Sequence, residues 1–122
     1  MYEISICQSI LKAVVEEFPE VHIDQIREIH LKAGILNCLE PNALQNIFKM
    51  MINGTDLQNA VLIIEQPPAV ADCDVCGSQF PVDNYLFICP HCGSSSTTIV
   101  SGNELEIKRI IIVEYDHEEM DN

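Results

Sequence analysis

The sequence has few basic residues and no long apolar run. Its 122 residues include 6 lysines and arginines against 19 aspartates and glutamates, for a formal net charge of −13. Such a surface repels phosphate backbones, so the charge argues against a nucleic-acid partner. No run of about 18 apolar residues is present, and the N-terminus lacks a basic segment followed by a hydrophobic one. We therefore expect a cytoplasmic protein without a membrane span or a secretory leader.

The motifs of common enzymes are also missing from the sequence. There is no Ser/His/Asp ordering of a hydrolase triad, no glycine-rich phosphate loop and no open metal-binding triad. We therefore expect a protein that has no catalytic residues and is not an enzyme.

The sequence does contain two cysteine pairs, each followed by a glycine. They are Cys73-Asp74-Val75-Cys76-Gly77 and Cys89-Pro90-His91-Cys92-Gly93. Two intervening residues let both thiolates of a tight turn point at one ion, and glycine allows the positive φ that closes the turn. Four thiolates match the tetrahedral preference of Zn²⁺ and leave no position open for water. The pattern predicts a structural zinc site formed by Cys73, Cys76, Cys89 and Cys92.

Other uses of the cysteines and histidines stay open at this point. The four cysteines are alternatively two disulfides or ordinary buried thiols, although a reducing compartment favours metal binding. His91, inside the second pair, is an alternative ligand. Cys7 and Cys38 lie far from the pairs, and we expect both to be small buried hydrophobic residues.

Apolar periodicity predicts two helices. Ser5 and Gln8 form a capping box, which predicts a helix that starts at Ser5 and ends before Pro19, with residues 1–4 extended at a sheet edge. Pro41 suits the first position of a second helix, which Asn53-Gly54 would end.

Three segments are predicted to be strands of a small sheet, which gives an α+β fold. Residues 29–35 alternate between apolar and polar, residues 61–64 read as a central strand buried on both faces, and residues 105–113 form a long strand. The last two are expected to pair and close the base of the cysteine segment. We thus expect an α+β domain (residues 1–68 and 99–115), an inserted zinc-ribbon lobe (69–98) that needs metal to fold, and an acidic tail (116–122).

These features together resemble the HypA/HybF family of hydrogenase nickel-insertion proteins. The resemblance extends from Met1 to about Glu114. It is carried by Glu3-Ile4-Ser5 with Gln8-Ser9, by Leu39-Glu40-Pro41, by the two cysteine pairs, and by Ser101-Gly102-x-Glu104-Leu105 with Ile107-Lys108.

The resemblance implies a metallochaperone. Such proteins carry Ni²⁺ to the large subunit of NiFe-hydrogenase together with the GTPase HypB, and in some organisms they also serve urease maturation proteins. The family's nickel site lies at the N-terminus and uses the terminal amine, backbone amides and the imidazole of residue 2. The corresponding residues here are Met1, Tyr2 and Glu3.

The chain departs from the family's Met-His-Glu start at position 2, where Tyr2 replaces histidine. Phenols, with a reference pKa of about 10, are poorer nickel ligands than imidazole at neutral pH. Three interpretations stay open: weakened nickel binding, recruitment of Cys7, His30 or His117 as a ligand, or a divergent paralogue with another metal or target. The alternative function is a zinc-ribbon adaptor that docks proteins and carries no transferable nickel.

Overall fold

The computed structural model describes residues 2–114 and confirms the α+β fold class. Its helices and strands are α1 (Tyr2–Glu17), β1 (Ile26–Ala33), α2 (Pro41–Ile52), β2 (Val61–Glu65), β3 (Val70–Cys73), β4 (Gln79–Pro81), β5 (Thr97–Ser101) and β6 (Leu105–Ile112). No helix within these residues is long and apolar enough to cross a membrane.

The described chain divides into two compact units. One contains residues 2–31, 40–63 and 107–114, and the other contains residues 32–39 and 64–106. The first unit holds both helices, and the second holds all four paired cysteines. The exact limits given above for an inserted lobe remain a prediction, and the proposed acidic tail lies outside the described residues.

The first unit is built on the two amphipathic helices. Helix α1 buries Ile6, Cys7, Ile10 and Val14, whereas α2 buries Leu44, Phe48 and Ile52. The helices contact each other, and the Cys7 thiol donates a hydrogen bond to the Leu44 carbonyl at 3.6 Å. These stripes recur at helical spacing, so burial of one face stabilises each helix.

Helix α2 begins where the sequence predicts. Pro41 occupies the first turn, and the Glu40 carboxylate accepts a hydrogen bond from the Ala43 amide at 2.6 Å. Asn53 follows the last helical residue, and Gly54 has a φ of 78°. Proline at the start and glycine after the end therefore fix this helix locally.

The predicted N-terminus of α1 is wrong. The helix begins at Tyr2, so residues 2–4 are helical rather than extended, and Ser5 lies inside the helix instead of capping it. Glu3 lies in the first turn, where a carboxylate interacts favourably with the positive end of the helix dipole. The apolar stripe of α1 overrides the local capping signal.

Strands β1, β2 and β6 form a sheet in the order β2-β1-β6. Strand β1 is central and buries Ile29, Leu31 and Ala33. The predicted central position of β2 is therefore wrong: β2 lies at an edge, and its Val61 is 57% exposed. The predicted pairing of β2 with β6 is also wrong, because β1 separates them. A continuous apolar run does not distinguish an edge strand from a central one.

The second unit contains an antiparallel sheet in the order β4-β3-β5. Ala71 of β3 is opposite Phe80 on one side and Ile99 on the other. Among the described residues, Ala71, Cys73, Phe80 and Cys89 form the buried cluster of this sheet, and the partly buried Val82 packs against it. Two of the four core residues are thus cysteines of the predicted metal site.

Segments 34–37 and 101–104 of the second unit are joined by backbone hydrogen bonds. The Gly34 amide donates to the Glu104 carbonyl at 2.8 Å, and the Leu36 amide donates to the Gly102 carbonyl at 2.7 Å. Asn37 Nδ2 donates to the same Glu104 carbonyl at 2.6 Å. A Cβ on Gly34 would overlap the carbonyl carbon of Gly102, so the two backbones pack directly on each other.

The carboxylate of Glu104 closes this turn. Its Oε1 accepts the Gly102 amide at 2.7 Å, and its Oε2 accepts the Ser101 hydroxyl at 3.4 Å. The backbone amides of Glu104 itself and of Gly102, together with the charge of Lys32, hold the pKa of this carboxyl below its ordinary value. The ionised form is therefore the one that stabilises the turn.

We predict that Gly34→Ala destabilises the protein by about 3 kcal/mol, because a methyl group must displace backbone at an overpacked contact. Gly54→Ala is the control: Gly54 also lies in a turn, but no atom lies near its Cβ position, and only its positive φ disfavours alanine, by about 1 kcal/mol. Urea denaturation of both variants at one zinc concentration measures the difference. A smaller loss for Gly34→Ala than for Gly54→Ala would contradict this close packing.

We also predict that the stabilisation from Glu104 depends on pH. Because the pKa of Glu104 is lower in the folded protein than in the unfolded chain, its contribution is complete above the unfolded pKa and disappears as the pH falls through the folded one. Glu104→Gln should therefore lower the melting temperature at pH 7 more than at pH 3.5. Equal differences at both pH values would show that the carboxylate charge is not stabilising.

Candidate metal centre

The two cysteine pairs form knuckles of nearly the same geometry. In the first, the Gly77 amide donates to the Cys73 carbonyl at 3.0 Å, and in the second the Gly93 amide donates to the Cys89 carbonyl at 2.9 Å. Both glycines have a φ of 77°. This left-handed conformation favours glycine, so the residue after each pair is fixed by the turn.

A serine that follows each glycine completes the knuckles, and the sequence reasoning missed it. The Ser78 carbonyl accepts the Cys73 amide at 2.8 Å, and the Ser94 carbonyl accepts the Cys89 amide at 2.9 Å. The signal was present in the sequence, because both motifs read Cys-x-x-Cys-Gly-Ser. Each knuckle is therefore defined by six residues, Cys-x-x-Cys-Gly-Ser, rather than by five.

The two knuckles bring four sulfur atoms together. The Sγ atoms of Cys73, Cys76, Cys89 and Cys92 all lie within 4.8 Å of one another. Cys73 Sγ and Cys92 Sγ are 3.5 Å apart, and Cys76 Sγ and Cys89 Sγ are 3.6 Å apart. A tetrahedral ion with metal–sulfur bonds of about 2.3 Å requires sulfur–sulfur separations of about 3.8 Å. The arrangement therefore fits one thiophilic ion.

Backbone amides point at two of the sulfurs. The Cys76 amide donates to Cys73 Sγ and the His91 amide donates to Cys89 Sγ, each at 3.4 Å. The Cys76 hydrogen bond lowers the pKa of Cys73 although that residue is buried. Hydrogen bonds from the hydroxyl and amide of Ser78 lower the pKa of Cys76 to about 6. The first knuckle thus favours the thiolate form that binds metal.

The pKa of Cys92 is raised instead of lowered. The Ser94 amide lowers its pKa, but the Cys73 sulfur, burial and the other two sulfurs together raise it to about 12. Adjacent thiols lose their protons in coupled steps, since each thiolate opposes the next. Four thiolates at this spacing are compatible only with a cation between them.

The remaining cysteines and histidines lie outside the four-sulfur cluster. His91 is exposed and is not among its members. Cys7 is fully buried, as expected, and burial followed by the Glu3 charge raises its pKa. The prediction for Cys38 is wrong: its side chain is exposed, and its Sγ lies 2.6 Å from the Tyr85 hydroxyl. His30 Nε2 pairs with Glu28 at 2.7 Å on β1.

Two of the predicted nickel ligands are described by the structure. Tyr2 is 45% exposed at the start of α1, and Glu3 is half-buried in its first turn. Met1 and the candidate ligand His117 lie outside the described residues. The N-terminal nickel site therefore remains a prediction.

The fold and the cluster define a class: small α+β proteins with four clustered cysteines that could hold a metal ion. A family described as "Hydrogenase/urease nickel incorporation, metallochaperone, hypA" matches residues 1–112. The chain belongs to this HypA family. The resemblance noted in the sequence is thus confirmed over nearly the whole chain.

Individual relatives and solved structures agree with this membership. The "Hydrogenase maturation factor HypA" of Prosthecochloris aestuarii is 37% identical over 112 residues, which are 92% of this chain and 99% of that one. The protein of the same name from Chlorobium luteolum is 40% identical over 114 residues, 93% and 97% of the two chains. A solution structure of the Ni metallochaperone HypA from Helicobacter pylori superposes with a TM-score of 0.65 at 17% identity and covers 93% of this chain and 98% of its own. The last comparison supports the fold alone.

We predict that Cys76→Ser abolishes stoichiometric metal binding by the knuckles. Loss of one thiolate leaves three sulfurs and an open coordination position, and the small core of this sheet should melt with the site. The measurement is zinc content per chain after dialysis, together with circular dichroism, which should retain the signal of α1 and α2. Cys38→Ser is the matched control, because Cys38 is also an exposed cysteine but lies outside the cluster. One retained equivalent of zinc in Cys76→Ser would refute the assignment.

Proposed function

We propose that this protein is a cytoplasmic metallochaperone that delivers Ni²⁺ for the maturation of NiFe-hydrogenase. The observation that carries this proposal is the family match across residues 1–112, which includes the N-terminus and both knuckles. The expected partners are the GTPase HypB and the hydrogenase large subunit, with urease maturation proteins as a further possible recipient system. The protein itself carries nickel and is not an enzyme, so nucleotide hydrolysis belongs to the partner.

We assign structural zinc to the four-cysteine cluster. Zn²⁺ prefers tetrahedral thiolate coordination, and Cys73, Cys76, Cys89 and Cys92 provide four sulfurs at suitable separations. When bound, the ion supplies charge neutralisation and crosslinking, and with all four positions filled it would not activate water. The protein's own residues contribute the amide hydrogen bonds that orient Cys73 and Cys89.

The start of α1 supports a nickel site at Met1, Tyr2 and Glu3. The first amide N–H groups of a helix have no carbonyl partner within it, so the amides of Tyr2 and Glu3 are not needed for the helix ladder. Ni²⁺ accepts a square plane of consecutive nitrogens from one chain end. Such amides must lose their protons, and the positive end of the helix dipole stabilises the resulting negative charge. Nickel is the cargo of this site.

One observation favours a second candidate function. Tyr2 supplies a phenol where the family pattern supplies an imidazole. A divergent paralogue or a zinc-ribbon adaptor would dock hydrogenase-maturation proteins through its folded units without carrying nickel. The two functions differ in one measurable property, the affinity of the N-terminus for Ni²⁺.

The test is a calorimetric titration of Ni²⁺ into the zinc-loaded protein with an unblocked N-terminus. The chaperone function predicts one equivalent of nickel with a square-planar d–d absorption band. Two extra residues before Met1 should abolish this binding, since they remove the α-amine from the site. Tyr2→His should tighten binding by about tenfold or more, because imidazole replaces a weak ligand.

Tyr2→Phe is the matched control, since it keeps the ring and removes only the hydroxyl group. Unchanged binding in this variant would show that the phenol is not a ligand and that the amine and amides suffice. Absence of any nickel binding in the natural sequence, with zinc retained, would contradict nickel delivery and favour the adaptor.

A further inference from the structure

A groove lies in the first unit between α2 and the edge strand β2. Its volume is about 520 Å³, within the range of about 300–1,000 Å³ typical of ligand pockets. Its polar and exposed lining includes Gln45, Asn46, Lys49, Gln58, Asn59 and Val61. None of the four paired cysteines, Tyr2 or Glu3 lines this groove, so the described ligands of the two proposed metal sites do not account for it.

The β2 side of the groove is the edge of a sheet. Among the described strands, β2 neighbours only β1, and its other edge has no strand partner. The carbonyl of Leu62 is satisfied by a side chain, because Gln45 Nε2 donates to it at 2.8 Å. An amide group from α2 therefore occupies the place that the N–H of an added strand would take.

The walls of the groove are held in place. In the loop after α2, the Gln58 amide donates to the Thr55 carbonyl at 3.1 Å and the Ala60 amide donates to the Leu57 carbonyl at 3.0 Å. Leu57 and Ala60 are buried and anchor this loop to the core. The groove is consequently preformed, which lowers the entropic cost of ordering a ligand.

The chemistry of the lining indicates what the groove binds. Four carboxamide side chains, from Gln45, Asn46, Gln58 and Asn59, offer both donors and acceptors and match the hydrogen-bonding groups of a peptide backbone. Lys49 lies one helical turn after Gln45 on the same face of α2, and it is the one charged side chain among the lining residues that the structure describes. None of the described residues that line the groove is acidic, in a chain with 19 aspartates and glutamates.

We propose that this groove binds an extended peptide segment of a partner protein, which adds to the edge of β2 and places one carboxylate against Lys49. The peptide backbone replaces Gln45 at the Leu62 carbonyl, and the carboxamides bind its remaining polar groups. The net charge of the chain opposes an acidic segment over long distances, but this repulsion is screened beyond about 8 Å at physiological ionic strength. The contact at Lys49 is shorter than that and selects the position of the carboxylate. This docking function goes beyond nickel delivery and does not depend on it.

The experiment measures binding of designed peptides to the full-length, zinc-loaded protein. The probes are fluorescein-labelled, amidated heptapeptides of alternating threonine and valine, with one glutamate at each of the three central positions in turn, and glutamine twins of each. Fluorescence anisotropy at 0.15 M salt, about physiological ionic strength, gives the affinities. We expect saturable binding of at least one glutamate peptide and about tenfold weaker binding of its glutamine twin.

A thermodynamic cycle then tests the pairing with Lys49. Lys49→Gln should weaken binding of the tightest-binding glutamate peptide by about tenfold. It should leave binding of the glutamine twin unchanged, because that peptide has no carboxylate to pair with Lys49. Lys12→Gln is the matched control: Lys12 is an exposed lysine on α1, outside the groove, and its substitution should change neither affinity.

Nuclear magnetic resonance locates the peptide. Binding at the groove should shift the side-chain amide signals of Gln45 and the backbone amide of Leu62. Three outcomes would overturn the proposal. The first is no saturable binding of any peptide in the panel, and the second is an equal loss of affinity for a glutamate peptide and its glutamine twin in Lys49→Gln. The third is a set of amide signal shifts confined to β6. Concentration-dependent shifts of the groove signals without peptide would also overturn it, because they would indicate that a second copy of the chain covers the groove.

Discussion

The second unit depends on one constraint: the sulfur atoms of four cysteines must lie within 4.8 Å of one another. Its β4-β3-β5 sheet has three short strands, and the buried cluster at this sheet has four described residues, two of them the cysteines Cys73 and Cys89. A core of this size does not offset the conformational entropy lost on folding. Two of the four side chains that would bind a metal are therefore also core residues, so metal binding would contribute directly to the folding of this sheet.

Features that depend on local sequence could be predicted well. A Cys-x-x-Cys-Gly turn brings two thiolates together through its own backbone, and Pro41 and Asn53-Gly54 delimit α2 through their allowed dihedral angles. Each of these signals acts within a few residues, so no knowledge of the rest of the fold is needed. The same holds for the missed serines, since Ser78 and Ser94 act inside their own knuckles.

Features that depend on distant partners could not be predicted. Ser5 and Gln8 form a valid capping box, but the contacts of Ile6, Cys7 and Ile10 keep the preceding residues helical. The apolar run of β2 suggests a buried strand, yet its place at the edge is decided by β1, which lies between β2 and β6. Cys38 is exposed, its backbone adopts a left-handed φ of 56°, and its sulfur contacts the hydroxyl of Tyr85, 47 residues further along the chain. No pattern within these segments encodes such relations.

The turn at residues 101–104 shows how a sequence signature acquires its physical meaning only from the structure. From the sequence, Ser101-Gly102-x-Glu104-Leu105 is a turn shared with a family. In the fold, Gly102 has a φ of 108°, and a Cβ there would lie 2.6 Å from the Cα of Ala69. The Ser101 hydroxyl donates to the Pro68 carbonyl at 2.9 Å, and the Ile35 amide donates to the Pro67 carbonyl at 3.0 Å. Three segments distant in sequence thus meet through their backbones, at a spacing that leaves no room for a Cβ at Gly102.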